Sequence, residues 1–182
     1  PVIVYAGMLA PNLGVWQRLG CAALALALAA TDSRAAAPKL TASESVTIQA
    51  PAAAVWDKVK DFDSLNNWHP AVASDQIVEG SNDQVGAVRL LTLKDGGTIK
   101  EKLLAFSDAG HSFKYGILES VLPVSGYTST LKVTPLGKNA SKVVWSGRFV
   151  AKEGSDDKTA TTTIHGVYRG GLDNLKSLLE AK

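Results

Sequence analysis

Cysteine is almost missing: Cys21 is the only one in 182 residues. It lies in an apolar run near the N-terminus, so the rest of the chain can have no disulfide framework, thiolate metal site or cysteine nucleophile. Histidine is scarce as well. His69, His111 and His165 are not at metal-ligand spacing, which leaves zinc without a donor set, and no metal or cofactor is called for. Charge is nearly balanced, with 19 Lys and Arg against 17 Asp and Glu. No basic patch is interleaved with aromatics, which argues against a nucleic-acid partner. There is no Gly-rich phosphate loop and no G-x-S-x-G nucleophile elbow. The apolar run from Leu19 to Ala30 is too short for a stable membrane anchor, which needs about 20 residues.

That run has another reading. Arg18 precedes it, polar Thr31-Asp32-Ser33-Arg34 follows it, and Ser33-Arg34-Ala35 places small residues where a signal peptidase reads. Residues 1–35 are therefore expected to be a cleaved export signal with upstream residues, Met8 being a candidate initiator, and 36–42 a linker. Cys21 opens the apolar run rather than following it, which argues against lipidation. The domain proper is expected at 43–182, near neutrality, outside the cytoplasm (periplasmic or secreted).

The chain is organised around its last stretch. Ile164, Tyr168, Leu172, Leu175 and Leu179 recur at helical spacing, with Val167, Gly171 and Leu178 widening the stripe. Such a helix needs a broad partner surface. Gly166, Gly170 and Gly171 weaken its first half, and suit either close backbone approach, empty volume beside a pocket, or simply a weak helix start. Upstream, Ser43 to Gln49 alternates as a strand. Pro51 opens a helix to about Asp61, and a second short helix or turn ends at Trp68-His69-Pro70. A run of strands follows: Gln76–Glu79, Gly86–Lys94, Thr98–Phe106, His111–Glu119, Gly126–Thr134 and Lys142–Lys152. The turn signals between them include Asp95-Gly96-Gly97. The expected fold is α+β, a curved antiparallel sheet of about six or seven strands wrapped on the C-terminal helix, with two short N-terminal helices closing one end.

Ala50-Pro51 before Val55-Trp56, Asp61-Phe62 leading to Trp68-His69-Pro70, the hairpin series, Val144-Trp145-Ser146-Gly147 and the Gly171-Leu172 helix together resemble one family. It is the START/birch-allergen-like helix-grip superfamily (SRPBCC), in its polyketide cyclase/dehydrase-like branch. An exported member with this layout also resembles the MxaD-like accessory proteins of periplasmic methanol oxidation. The resemblance implies a deep cavity between sheet and C-terminal helix that holds a hydrophobic or amphipathic small molecule. It does not fix function.

Strand alternation sorts candidate lining residues. Taking the aromatic-rich face as inward selects Ile99 and Glu101, then Phe113, Tyr115 and Ile117, then Tyr127 and Ser129, then Trp145. Trp68 and His69 are placed at the mouth the family closes, and Tyr168 and His165 on or near the helix stripe. A buried Glu101 would need a partner, or a raised pKa, and could orient a ligand beside Tyr115 or Tyr127. A one-residue register slip would instead put it in water. Trp56, Phe62 and Phe106 read as core. Three functions are compatible with this pattern. The first is an exported hydrophobic-ligand-binding or accessory protein with no catalytic residues. The second is a cyclase/dehydratase-type enzyme using Glu101, His69 or His165 as acid/base, with tyrosines orienting a carbonyl. The third is an interaction module for a periplasmic protein partner such as a dehydrogenase.

Overall fold

The computed structural model describes residues 40–181, and the expected signal segment lies outside them. Seven strands form one antiparallel sheet in the order β1-β7-β6-β5-β4-β3-β2. They are β1 (Leu40–Ile48), β2 (Val72–Glu79), β3 (Val88–Leu93), β4 (Thr98–Ser107), β5 (Ser112–Ser120), β6 (Val124–Pro135) and β7 (Ser141–Ala151). Between β1 and β2 come helix α1 (Ala52–Val59) and a single 3-10 turn, Leu65–Asn67; α2 (Asp157–Glu180) closes the chain. This is the helix-grip arrangement, with one of the two expected short helices reduced to a turn. β1 starts at Leu40, inside the stretch read as linker, because Leu40 pairs with Phe149 and Ala42 is buried opposite Gly147.

Local chemistry explains the element boundaries. Asp156 caps α2 by accepting from Thr159 N at 2.7 Å, which starts the helix three residues before the first stripe residue, Ala160. Gly96, at φ 91°, turns the β3–β4 hairpin, and Gly97 N donates to Asp95 Oδ1 at 2.9 Å. β2 is longer than expected and carries irregularities between Val72 and Ser74 and between Ile77 and Glu79.

The stripe of α2 lies against β1 and β7. Ile164, Tyr168, Leu172 and Leu175 are wholly buried, and each aliphatic member contributes about 1.5–3 kcal/mol by leaving water. Leu178 is not part of the stripe: it is exposed, lying about 120° around the helix from Leu172. The three glycines separate into two kinds. A Cβ on Gly171 would lie 2.7 Å from His69 Cδ2 and 2.9 Å from Trp145 Cζ3, so glycine here admits two rings against the helix backbone. Around Gly166 and Gly170 nothing lies within 4 Å of a Cβ.

Candidate functional site

Two polar clusters sit inside the sheet. In the first, alternation selects Glu101 but not its partners Arg89 and Asp75. Arg89 on β3 stands directly across from Glu101 on β4, both are buried, and Arg89 Nε donates to Glu101 Oε2 at 2.8 Å. Arg89 Nη2 reaches the same oxygen at 2.7 Å. Nη1 donates to the Phe62 carbonyl at 2.6 Å and to Asp75 Oδ2 at 3.3 Å. The guanidinium carbon lies 4.1 Å from the centre of the Phe62 ring, a cation–π contact. Asp75 Oδ2 also accepts from Leu65 N at 3.0 Å, whereas its Oδ1 is buried without a partner. One guanidinium thus faces two carboxylates. Burial pushes Asp75 up to about 6 against the pull of Arg89, and it pushes Glu101 upward too, opposed by Arg89.

The second cluster is a chain of hydroxyls. Trp145 Nε1 donates to Tyr115 Oη at 3.0 Å, and Tyr115 Oη is 3.3 Å from Tyr127 Oη. Tyr127 Oη is 2.5 Å from Tyr168 Oη, which is 2.9 Å from Ser129 Oγ; Ser129 then donates to the Ser146 carbonyl at 2.9 Å. Burial raises the pKa of all three tyrosines, Tyr168 to about 12, so each keeps its proton. Tyr168 stacks on Trp145 with centroids 4.7 Å apart. Gly147 makes room for it, since a Cβ there would lie 2.3 Å from the Tyr168 hydroxyl.

Between these clusters and α2 lies a cavity of about 80 Å³. Its apolar wall is Leu65, Val72, Leu91 and Ile164, its polar wall Glu101, Tyr115, Tyr127, Trp145 and His69. The exposed Ala71 and the half-buried Leu93, Leu122 and Val167 form the outer part. His69 is held at both ring nitrogens. Nδ1 accepts from Ala71 N at 3.2 Å, and Nε2 therefore carries the proton donated to the Val167 carbonyl at 2.9 Å. Burial lowers its pKa, and protonation of Nδ1 would break the bond to Ala71. Two larger hollows, of about 310 and 390 Å³, lie elsewhere on the sheet, lined by residues such as Thr41, Lys114 and Arg148 or Leu118, Ser125 and Lys152.

Of the residues expected to line a cavity, the structure brings His69, Glu101, Tyr115, Tyr127 and Trp145 to its wall. Ser129 and Tyr168 stand one layer behind, as hydrogen-bond partners. Trp68 is packed on Trp145 at 5.4 Å, and its carbonyl accepts from Asn174. Ile99 and Phe113 point inward but away from the cavity, Phe113 packing on Trp56 and Phe62. Ile117 is half-buried beside the outer hollow near Ser125, because the β4–β5 register shifts at this point. His165 does not face the cavity. It binds Glu44 Oε1 at 2.7 Å with its side chain 39% exposed, one helical step from the stripe and turned toward β1. Arg169 joins the same carboxylate. Arg89 and Asp75 are the functional candidates that sequence reasoning missed. Among the described residues, no cluster of three or more His, Cys, Asp or Glu could hold a metal, and no helix is long and apolar enough to cross a membrane.

A family model described as polyketide cyclase/dehydrase and lipid transport matches residues 39–180. The chain belongs to this family. Family and fold make it a domain of the hydrophobic-ligand-binding class. The protein XoxI from Bacillus cereus is 34% identical, with 78% of this chain and 96% of that one covered at a TM-score of 0.72. A putative uncharacterized protein from Bacillus thuringiensis is 33% identical over 77% and 98% of the two chains, with a TM-score of 0.71. The Zhui aromatase/cyclase from Streptomyces sp. R1128 shares the fold, at 19% identity, 78% and 93% coverage and a TM-score of 0.65.

Proposed function

We propose that this polyketide cyclase/dehydrase-like domain holds a small hydrophobic molecule in the cavity between sheet and α2, and binds it without turning it over. The observation that carries the reading is an apolar cavity whose wall has every side-chain proton engaged with protein partners. Acid–base turnover needs a general acid beside the base, and the acid must aim a proton at the substrate. His69 spends its proton on the Val167 carbonyl, the Glu101 carboxylate is clamped through Oε2 by Arg89, and the tyrosine hydroxyls bond to one another. Such a wall orients a ligand; it holds no acid to complete a proton relay. The volume fits a ligand of a few non-hydrogen atoms, since a cavity near 150 Å³ is what accommodates benzene. A larger ligand requires α2 to move from the sheet.

We also propose that the domain works after export. Supporting this are the Leu19-to-Ala30 run with its flanking charges, and the start of the family match at residue 39, just beyond the cleavage point expected near Ala35. A protein partner outside the cytoplasm is compatible with this placement. N-terminal sequencing of the exported protein should begin next to Ala35. A soluble cytoplasmic form retaining residues 8–35 would overturn this.

Native mass spectrometry of protein purified from its own host tests the binding reading. A small molecule should accompany the native chain and be absent from Ile164→Trp, which fills the cavity. Equal retention by both proteins would place any bound molecule elsewhere.

A further inference from the structure

The hydroxyl chain has a direction. Trp145 Nε1 can only donate and the Ser146 carbonyl can only accept, which fixes both ends. Ser129 spends its single proton on Ser146, so the 2.9 Å contact to Tyr168 needs the Tyr168 proton. Tyr168 must then accept from Tyr127, and Tyr127 from Tyr115. In the one arrangement where every contact is a hydrogen bond, protons run Trp145 → Tyr115 → Tyr127 → Tyr168 → Ser129 → Ser146. Each phenol on the cavity wall has given its proton away and keeps one free lone pair.

The other wall groups behave alike. His69 spends its proton on the Val167 carbonyl and its lone pair on Ala71 N. Glu101 takes both Arg89 bonds on Oε2, leaving Oε1 with no protein donor. The N–H groups of Ala71, Leu65, Leu93 and Leu122 are bonded to His69, Asp75, Gly97 and Ser120. Every side-chain donor on the wall is used, and several acceptors are not.

From this we infer that the cavity selects a small, mainly apolar molecule bearing an O–H or N–H donor, an alcohol or amine, and rejects carbonyl compounds and carboxylates. The inference rests on the ligand-binding reading above and names its ligand class. A carbonyl oxygen placed here would face only lone pairs and the Glu101 carboxylate, losing its bonds to water with none in return. A donor would bond to Glu101 Oε1 or to a tyrosine oxygen. The same accounting removes the tyrosines as groups to polarise a carbonyl.

Two size-matched pairs of small probes separate the cases: pyrrole and 2-propanol, which donate, and furan and acetone, which only accept. Each is titrated into the full domain, with binding read from the Trp145 indole N–H and the Leu91 and Ile164 methyl NMR signals. Pyrrole and 2-propanol should bind at least about tenfold more tightly than furan and acetone. Glu101→Gln puts an amide donor on the wall and should narrow that gap by recruiting acetone. Furan and acetone binding as tightly as pyrrole and 2-propanol would overturn the inference and leave ligand binding standing. If none of the four moves the Leu91 or Ile164 signals, the cavity is not a ligand site, and both readings fail together.

Discussion

Replacing Arg89 with methionine should destabilise the domain strongly, and its cost should depend on pH. Arg89 is wholly buried and is the cation that the Glu101 and Asp75 side chains share, these being 6% and 0% exposed. Methionine restores much of the volume but leaves two carboxylates facing each other and the Phe62 carbonyl without its donor. Breaking a buried pair from one side costs about 3–5 kcal/mol, because the surviving charge is uncompensated. The two carboxyls can escape that penalty by binding protons. Without Arg89 both have folded pKa values above their unfolded ones, so their contribution is intact below about pH 4 and is lost as pH rises through the folded values. The variant should therefore be about 3–5 kcal/mol less stable than the parent at pH 8 and markedly closer to it at pH 5.

Urea unfolding followed by tryptophan fluorescence at the two pH values measures this directly. Adding Glu101→Leu to Arg89→Met removes one orphaned charge and should recover most of the loss, since apolar replacements of buried pairs are often neutral. A loss below about 1 kcal/mol at pH 8, an equal loss at both pH values, or a double variant no better than the single would refute the reasoning.

Asp75→Asn keeps the bonds from Leu65 N and Arg89 and removes a carboxyl raised from 3.8 to about 6. Stability that the parent loses as pH climbs from about 4 to 7, on the order of 3 kcal/mol, should not be lost by the variant, so its melting-temperature profile should be flatter. A variant less stable than the parent at pH 7 would show the Asp75 charge to be net favourable. Gly171→Ala should cost about 1–3 kcal/mol despite its better helix propensity, because two rings block the methyl; Gly166→Ala, with open space, should gain up to about 1 kcal/mol. Chemical denaturation of the pair decides this, and equal signs would contradict the packing. Leu172→Ala should cost about 2–5 kcal/mol, and a calorimetric change under about 1 kcal/mol would mean that the stripe is not the seat of the grip.

How far these features could be read from sequence depends on what each one rests on. The α2 stripe and the β4 face follow from period alone. Ile99, Glu101 and Leu103 are buried while Lys100 and Lys102 are not, as parity requires. Arg89 was missed because Val88-Arg89-Leu90-Leu91 offers two apolar parities, and an arginine between them reads as solvated. A signal was present nonetheless. Centring the hairpin on Asp95 pairs Leu93 with Gly97 and Thr92 with Thr98, and counting back pairs Arg89 with Glu101. Asp75 was hidden by reading β2 as starting at Gln76, although it shares parity with the inward Ile77. His165 shows the limit of periodicity: one step beside Ile164 is the edge of the stripe, and only the tertiary position of Glu44 decides which way the ring turns. The aromatics expected around a spacious cavity largely fill it instead, which is why about 80 Å³ remains.

The proton direction of the hydroxyl chain can be reversed at one point without touching the cavity wall. Tyr168 lies behind the wall, and its hydroxyl is the group that takes the Tyr127 proton and supplies Ser129. Tyr168→Phe keeps the ring stacked on Trp145 and removes only that oxygen. Ser129 still donates to the Ser146 carbonyl, so nothing downstream is orphaned except one lone pair. Upstream, Tyr127 loses its acceptor, and one phenolic proton, on Tyr127 or Tyr115, is released toward the cavity. Leaving that buried hydroxyl unpaired should cost about 1–3 kcal/mol, which urea unfolding will register. The same proton gives the wall the donor it lacks in the parent, so acetone should bind Tyr168→Phe more tightly while pyrrole changes little. If the variant is destabilised and acetone affinity stays where it was, the chain is a structural brace whose direction has no bearing on what the cavity accepts.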